Sequence, residues 1–114
     1  MSDCLFCKIV AGQIPASITY RDDELLAFKD LNPRAPMHQL VIPTRHVASL
    51  ASASGDDAAL LGKLMLRGAQ LAREAGHGDR GFRVVMNAGP DAGQTVYHVH
   101  LHVLAGRELS WPPG

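Results

Sequence analysis

The segment His98-Val99-His100-Leu101-His102-Val103-Leu104 carries an imidazole at every second position, with an aliphatic residue between each pair. Successive side chains of a β-strand point to opposite faces, so this alternation predicts a strand with three imidazoles on one face. The aliphatic face suits packing against a helix, which would hold the backbone still beneath the imidazoles. Neutral imidazole is nucleophilic and can transfer protons near neutral pH, and the row therefore suits reactions at phosphorus.

Two other interpretations of the histidine row stay open from the residues alone. The strand can be an ordinary one whose exposed face carries polar rings. The row can also be a set of metal ligands, because alternate imidazoles on one face can share an ion.

The loop Ala88-Gly89-Pro90-Asp91-Ala92-Gly93-Gln94-Thr95 precedes the histidine strand. Gly89 and Gly93 permit tight turns that point backbone amides at an anion, and Thr95 adds a hydroxyl. The loop has no Gly-Lys-Ser or Gly-Lys-Thr sequence and precedes a strand, whereas a P-loop precedes a helix. A phosphate-binding loop and a simple connector both fit these residues.

Hydrophobic periodicity, β-propensity and turn residues predict two helices and five strands. The helices span residues 4–11 and 58–75, and the strands span residues 18–21, 25–29, 39–42, 82–87 and 97–105. Residues 22–24 form the polar turn of a hairpin, and Pro36 and Pro43 enclose the third strand, with His38 at its entrance. Ser54 is expected to cap the long helix, and Gly12 to follow the short one.

The composition indicates one ordinary globular domain over residues 1–114. Apolar residues make up 46% and charged residues 19% of the chain, close to the average for globular proteins. Eleven basic and eleven acidic residues give no net charge, which argues against general nucleic-acid binding. The start of the chain lacks the pattern of a signal peptide and no apolar run is long enough to cross a membrane, so we expect a cytoplasmic protein.

The two cysteines, Cys4 and Cys7, lie three positions apart near the start of the chain. A disulfide between them would close a very short loop and stabilise little, so a structural disulfide is not expected. Metal binding, redox chemistry and inert thiols remain open.

The histidine segment resembles the signature His-φ-His-φ-His-φ-φ of the histidine triad (HIT) superfamily, where φ is apolar. The similarity extends to Cys4-Leu5-Phe6-Cys7-Lys8-Ile9-Val10, Ile14-Pro15-Ala16, Leu40-Val41-Ile42-Pro43 and the ending Gly106-Arg107-Glu108-Leu109-Ser110-Trp111-Pro112-Pro113-Gly114. The Trp-Pro-Pro-Gly ending resembles the Hint branch, whose members are homodimeric purine nucleoside phosphoramidases.

The resemblance implies an α+β HIT fold with a five-stranded antiparallel sheet, one long helix and one short helix. Two subunits would pair into a ten-stranded sheet, with the tail 106–114 reaching the partner subunit's site. His100 would be the nucleophile that attacks the α-phosphorus of a nucleoside phosphoramidate and releases AMP or GMP. His102 would contact the phosphate oxygens, and His98 and His38 would support the ring network.

The resemblance also implies a nucleotide site that includes His100 and His102 together with Phe28, Asp30, Leu31, Asn87, Gly93, Gln94 and Thr95. Asp30 would bind the ribose hydroxyls, and Thr95 would lie near the leaving group. Without the resemblance, Asp30 reads more simply as a turn residue, and Phe28 and Leu31 as core residues.

Some members of the family bind structural zinc, and Cys4, Cys7, His46 and His98 are the matching ligands here. Catalysis would need no cofactor. Three alternatives to the phosphoramidase remain: hydrolysis of dinucleoside polyphosphates or nucleotidyl sulfates at the same site, a nucleotide-binding scaffold with incidental turnover, and a metal-dependent hydrolase.

Overall fold

A computed structural model describes residues 3–114, so the first two positions of the predicted domain lie outside the described residues. The chain forms two α-helices and five β-strands. In chain order these are α1 (Leu5–Val10), β1 (Ile18–Arg21), β2 (Leu25–Lys29), β3 (Met37–Pro43), α2 (Ala58–Glu74), β4 (Phe82–Val85) and β5 (Leu101–Ala105).

The five strands form one sheet in the order β1-β2-β3-β5-β4, and every neighbouring pair is antiparallel. The hairpin β1–β2 turns where predicted, because the Asp22 carboxylate accepts the amides of Glu24 and Leu25. The predicted α+β architecture, a five-stranded antiparallel sheet with one long and one short helix, is therefore confirmed.

The sheet has an apolar core on each face. On one face, α2 packs over strands β3, β4 and β5, and Leu64 and Leu101 are almost fully buried there. On the other face, α1 contributes Phe6 and Ile9, which pack against apolar residues of β2 and β3. Burial on both faces explains why β2 and β3 read as nearly continuous apolar runs in the sequence.

The helix α2 approaches β5 closely at Gly68. A Cβ atom at Gly68 would lie 2.9 Å from Leu101 Cδ2 and 3.0 Å from Val103 Cγ2. The predicted packing of the aliphatic face of the histidine segment against the long helix is confirmed, and the contact is tight enough to hold the strand backbone.

Several predicted boundaries were wrong. The strand predicted over 97–105 begins only at Leu101, because the Val99 amide donates to the Val47 carbonyl at 2.7 Å and leaves the ladder. The strand β3 is longer than predicted and contains His38, which was placed at its entrance. The strand β4 ends at Val85, before the predicted end at Asn87.

The start of the long helix also differs from the prediction. Ser54 caps a short 3-10 turn, Gly55–Asp57, in a capping box with Asp57, and the α-helix follows it from Ala58. The 3-10 turn takes the cap because its first amides are the ones that lack an acceptor. Across residues 3–114, no helix combines the length and apolar character that crossing a bilayer requires.

Candidate active site

The histidine segment presents its three imidazoles to the α1 side of the sheet. The ring of Phe6 makes edge contacts with the rings of His98 and His100, at centroid distances of 6.0 and 5.2 Å. The rings of His100 and His102 lie 5.1 Å apart. The alternation read from the sequence therefore holds from His98 onward, although the ladder hydrogen bonds begin only at Leu101.

The hydrogen bond of His100 defines its tautomer. Its Nδ1 atom lies 2.9 Å from the carbonyl oxygen of His98, which can only accept, so Nδ1 carries the proton. In the neutral ring, Nε2 then bears the free electron pair. His100 is 7% exposed and lines a cavity, and its Nε2 has the electronic form that a nucleophile needs.

His102 and His38 form a second, linked pair of rings. The Nε2 atom of His38 lies 2.9 Å from Nδ1 of His102, and the amide of Arg34 donates to Nδ1 of His38 at 3.0 Å. Because that amide can only donate, neutral His38 carries its proton on Nε2 and donates it in a hydrogen bond to Nδ1 of His102. His102 in turn carries its proton on Nε2, which makes it a donor toward the cavity.

Burial keeps the rings of this pair neutral. Burial first, and then the neighbouring His100 and His38, lower the pKa of His102 to about 4. Burial also lowers the pKa of His38, although the Asp30 carboxylate acts in the opposite direction. The hydrogen-bond directions inferred for neutral rings therefore hold at neutral pH.

A cavity of about 360 Å³ opens beside His100 and His102. Its volume lies in the range of small-molecule sites. Eight of the nine predicted nucleotide-site residues line it: Phe28, Asp30, Leu31, Asn87, Gly93, Thr95, His100 and His102. The structure brings these residues together from β2, β5 and two loops, as the resemblance implied.

Gln94, the ninth predicted residue, does not line the cavity. Its side chain is 4% exposed, accepts hydrogen bonds from Ser49 and Gly89, and donates to the carbonyls of Ala48 and Val96. With all four side-chain hydrogen bonds made inside the protein, Gln94 shapes the loop and leaves ligand contact to its neighbours.

Some amides of the loop are already hydrogen-bonded inside it. Those of Gly93 and Gln94 donate to the carbonyls of Pro90 and Gly89 inside the loop. The amides of Thr95 and Val96, two residues that line the cavity, have no backbone acceptor among the described residues and are available to an anion. Gly93 has a φ of 88°, a left-handed conformation that favours glycine.

Asp30 is both a turn residue and a residue of the candidate site, the two interpretations that the sequence left open. Its Oδ1 accepts the Asn32 amide in a turn, while its Oδ2 lies 3.5 Å from His38 Nε2 and 4.0 Å from His102 Nδ1. The residue also lines the cavity, so one carboxylate serves the turn and faces the site. Leu31 is 98% exposed at the cavity mouth, which makes it a poor core residue.

The apolar wall of the cavity was not predicted. The residues Leu5, Phe6, Ile9, Ile14, Pro15, Ala16, Leu40 and Val96 supply most of it. The segments 4–10 and 14–16 belong to the resemblance, but periodicity gave them no site role because a wall residue and a core residue look alike in a sequence.

Cys4, Cys7, His46 and His98 meet at the start of α1, where their ligand atoms all lie within 4.8 Å of one another. The Nδ1 atom of His98 lies 3.4 Å from Cys4 Sγ and 3.5 Å from Cys7 Sγ, and His46 Nδ1 lies 3.4 Å from Cys7 Sγ. Tetrahedral zinc with ordinary bond lengths would set sulfur and nitrogen about 3.6 Å apart. The four side chains therefore fit a zinc ion.

The tautomer of His98 also suits a metal ligand. Its Nε2 donates to the Pro43 carbonyl at 2.8 Å, which leaves Nδ1 without a proton and turned toward the thiols. The ring does not hydrogen-bond to the ring of His100, and His98 supports His100 through its carbonyl. Burial and the neighbouring Cys4 raise the pKa of Cys7, so this thiol stays protonated unless a cation binds.

Sequence comparison identifies the family. A model of the HIT domain matches residues 11–109. The chain belongs to the HIT family. This HIT protein is 52% identical over 112 residues to a HIT-like protein of Synechocystis sp., a match that covers 98% of this chain and 97% of the relative.

Solved structures of HIT proteins share the fold. A HIT family hydrolase from Legionella pneumophila matches with a TM-score of 0.96 at 46% identity, covering 98% of this chain and all of that one. A zinc-bound histidine triad family protein from Mycobacterium smegmatis matches with a TM-score of 0.81 at 36% identity, covering 96% of this HIT protein and 81% of that chain.

Proposed function

We propose that this HIT protein is a hydrolase that cleaves the P–N bond of purine nucleoside 5′-phosphoramidates. The observation that carries the proposal is the tautomer of His100. Its Nδ1 proton is held by the His98 carbonyl at 2.9 Å, which frees Nε2 as a nucleophile in a cavity of nucleotide size. The match to a HIT family hydrolase supports hydrolysis as the reaction class.

The reaction follows from the two ring tautomers. His100 Nε2 attacks the α-phosphorus, the P–N bond breaks, and the amine leaves as its nitrogen takes up a proton from solvent, which the attacking water of the second step gives back. The Nε2–H group of His102 donates to a non-bridging oxygen, where negative charge grows in the transition state. Water then attacks the nucleotidyl-imidazole, releases the nucleoside monophosphate and returns His100 to its starting form.

The cavity supplies contacts for each part of a nucleotide. Phe6 and Phe28, whose ring centroids lie 5.5 Å apart, offer an apolar wall to a purine base. The Asp30 carboxylate faces the same cavity and suits the paired hydroxyls of ribose. Thr95, an exposed residue that lines the cavity, offers a hydroxyl that would meet the leaving group.

We also propose zinc for the Cys4, Cys7, His46 and His98 cluster. When bound, the ion would crosslink α1 to the segment before β5 and contribute stability rather than chemistry. His98 links this cluster to the active site, because the residue that offers Nδ1 to the ion offers its carbonyl to His100.

A homodimer is proposed on the resemblance and on one structural feature. The strand β4 is an edge of the sheet, and edges of this kind pair readily with a second chain. Arg83 on β4 donates to the carbonyls of Leu109 and Ser110, which lays the tail beside this edge, and Trp111 is 81% exposed. Light scattering coupled to size exclusion would measure the mass.

The test of the function uses adenosine 5′-monophosphoramidate and follows AMP release with and without EDTA. We expect His100→Ala to lower kcat by about a thousandfold or more, because the covalent route is lost. His77→Ala is the matched control, since His77 lies after α2 and does not line the cavity beside His100. Circular dichroism would check that both variants fold.

The alternatives predict other results. Activity that EDTA abolishes would favour a metal-dependent hydrolase. Faster cleavage of a dinucleoside polyphosphate than of the phosphoramidate would favour the related hydrolase. Wild-type protein that binds AMP but turns over no substrate would favour a nucleotide-binding scaffold.

A further inference from the structure

The base of the C-terminal tail holds the loop between β2 and β3 at two points. The Nε–H of Arg107 donates to the carbonyl of Arg34 at 2.8 Å. Gly106, with a φ of 96°, packs so closely on Pro36 that a Cβ atom there would lie 2.9 Å from Pro36 Cβ. These contacts fix the loop backbone on either side of residue 35.

The loop backbone is what sets the His38 tautomer. The amide of Arg34 donates to His38 Nδ1 at 3.0 Å, so the proton of neutral His38 stays on Nε2 and faces His102 Nδ1 at 2.9 Å. In the other tautomer, His38 Nδ1–H would oppose the Arg34 N–H, and two bare nitrogen lone pairs would face each other at His102. The orientation of the Pro33–Arg34 peptide, which carries the Arg34 N–H, therefore decides which way the histidine pair donates.

We propose that Arg107 is a positioning residue for this pair. The carbonyl that Arg107 holds belongs to the Arg34–Ala35 peptide, which joins the Pro33–Arg34 peptide at the Arg34 Cα atom. Holding it limits backbone rotation at Arg34, steadies the Arg34 amide against His38 and so keeps the Nε2–H of His102 directed at the phosphate. The catalytic consequence of this proposal rests on the proposed function, because the direction of the His102 N–H affects the rate only if the reaction uses His102 as a hydrogen-bond donor. Its structural part, the tautomer of His38, stands independently of any substrate.

The same contact disfavours metal binding at the pair. The ligand atoms of Asp30, His38 and His102 lie within 4.8 Å of one another, a spacing that suits a metal ion. A metal on His38 Nε2 would require a proton on Nδ1, where the Arg34 amide already donates. Holding the backbone at Arg34 thus keeps the three side chains as a proton-directing set.

The kinetic test compares Arg107→Ala, Arg107→Lys and wild-type protein on adenosine 5′-monophosphoramidate. Loss of one positioning hydrogen bond is expected to lower kcat about three- to tenfold in the Ala variant, with KM within about twofold. Lysine retains a donor and the charge, so Arg107→Lys is expected to recover most of kcat. An unchanged kcat in Arg107→Ala would overturn the catalytic part of the proposal.

The structural test measures the tautomer of His38 by the ¹⁵N shifts of its ring in two-bond correlation spectra. We expect the Nε2–H form in wild-type protein and a mixture with the Nδ1–H form in Arg107→Ala. Arg83→Ala is the control, because Arg83 holds the tail at Leu109 and Ser110 without contacting Arg34. A mixture in Arg83→Ala as well, or none in Arg107→Ala, would overturn the proposal.

Failure of the proposed function gives a different pattern. If wild-type protein releases no AMP while the His38 tautomer still responds to Arg107→Ala alone, the function is wrong and the positioning contact is right. If AMP release is normal and neither kcat nor the tautomer responds to Arg107→Ala, the function is right and the positioning contact is wrong.

Discussion

Replacing Gly68 by Ala tests how firmly α2 holds the histidine strand. The added methyl group would lie 2.9 Å from Leu101 Cδ2 and 3.0 Å from Val103 Cγ2, whereas carbon atoms pack best at about 3.5–4.0 Å. Leu101 is 1% and Val103 0% exposed, so neither side chain has free space to move into. The helix and the strand must therefore separate by a fraction of an ångström or more.

The size of the effect follows from two opposing terms. Overpacking a core costs about 1–3 kcal/mol, while alanine gains about 1 kcal/mol over glycine inside a helix. We expect Gly68→Ala to lower the free energy of unfolding by about 0–2 kcal/mol. Gly62 lies on the exposed side of the same helix with no atom within 4 Å of the added position, so Gly62→Ala should raise it by about 1 kcal/mol.

The assay is thermal unfolding of both variants at one protein concentration, because self-association would make Tm concentration-dependent. A domain of this size shifts by about 4 °C per kcal/mol, so the two variants should differ by about 4–12 °C. Gly68→Ala should also lose activity at 25 °C, where it is still folded. Leu101 lies between His100 and His102 in the chain, so a displacement of Leu101 would move both rings.

Equal or higher stability of Gly68→Ala relative to Gly62→Ala would refute this reasoning. It would mean that α2 and β5 adapt to an extra methyl group without cost, and that the helix does not fix the position of the histidine strand.

Three further outcomes are expected. Lowering the pH from 6.5 to 4 should reduce the free energy of unfolding. Burial lowers the pKa of His102 to about 4, so in this range the unfolded chain takes up a proton at His102 that the folded chain does not. Denaturant titrations should therefore show a smaller pH dependence of this free energy in His102→Gln than in wild-type protein. Asp30→Asn should raise KM for the ribonucleotide about tenfold and change KM much less for the 2′,3′-dideoxynucleotide, and equal effects on both would argue against ribose binding. The Cys4→Ser and Cys7→Ser double variant should lose zinc in elemental analysis and melt at a lower temperature, and a zinc content equal to that of wild-type protein would rule out these thiols as ligands.

The strand and helix types were predictable because each depends on local periodicity. In the histidine segment, imidazoles alternate with aliphatic residues, and in α2 the apolar residues recur every three to four positions. In both cases the order of residues alone predicts which side chains share a face. The direction of the imidazole face could be read in this way even though the ladder begins only at Leu101. The identity of His100 as the proposed nucleophile needed the resemblance, because spacing does not distinguish one imidazole of the row from another.

The sequence by itself determined the two helices, the five strands, the sided histidine row and, through the resemblance, eight of the residues that line the cavity. Only the tertiary structure decided the role of each nitrogen. The proton positions on His98, His100 and His38 depend on the carbonyls of Pro43 and His98 and on the Arg34 amide, two of which lie four or more residues from the ring they contact. Tautomers follow from hydrogen bonds whose geometry is set by the folded backbone around each ring, which the spacing of residues does not encode.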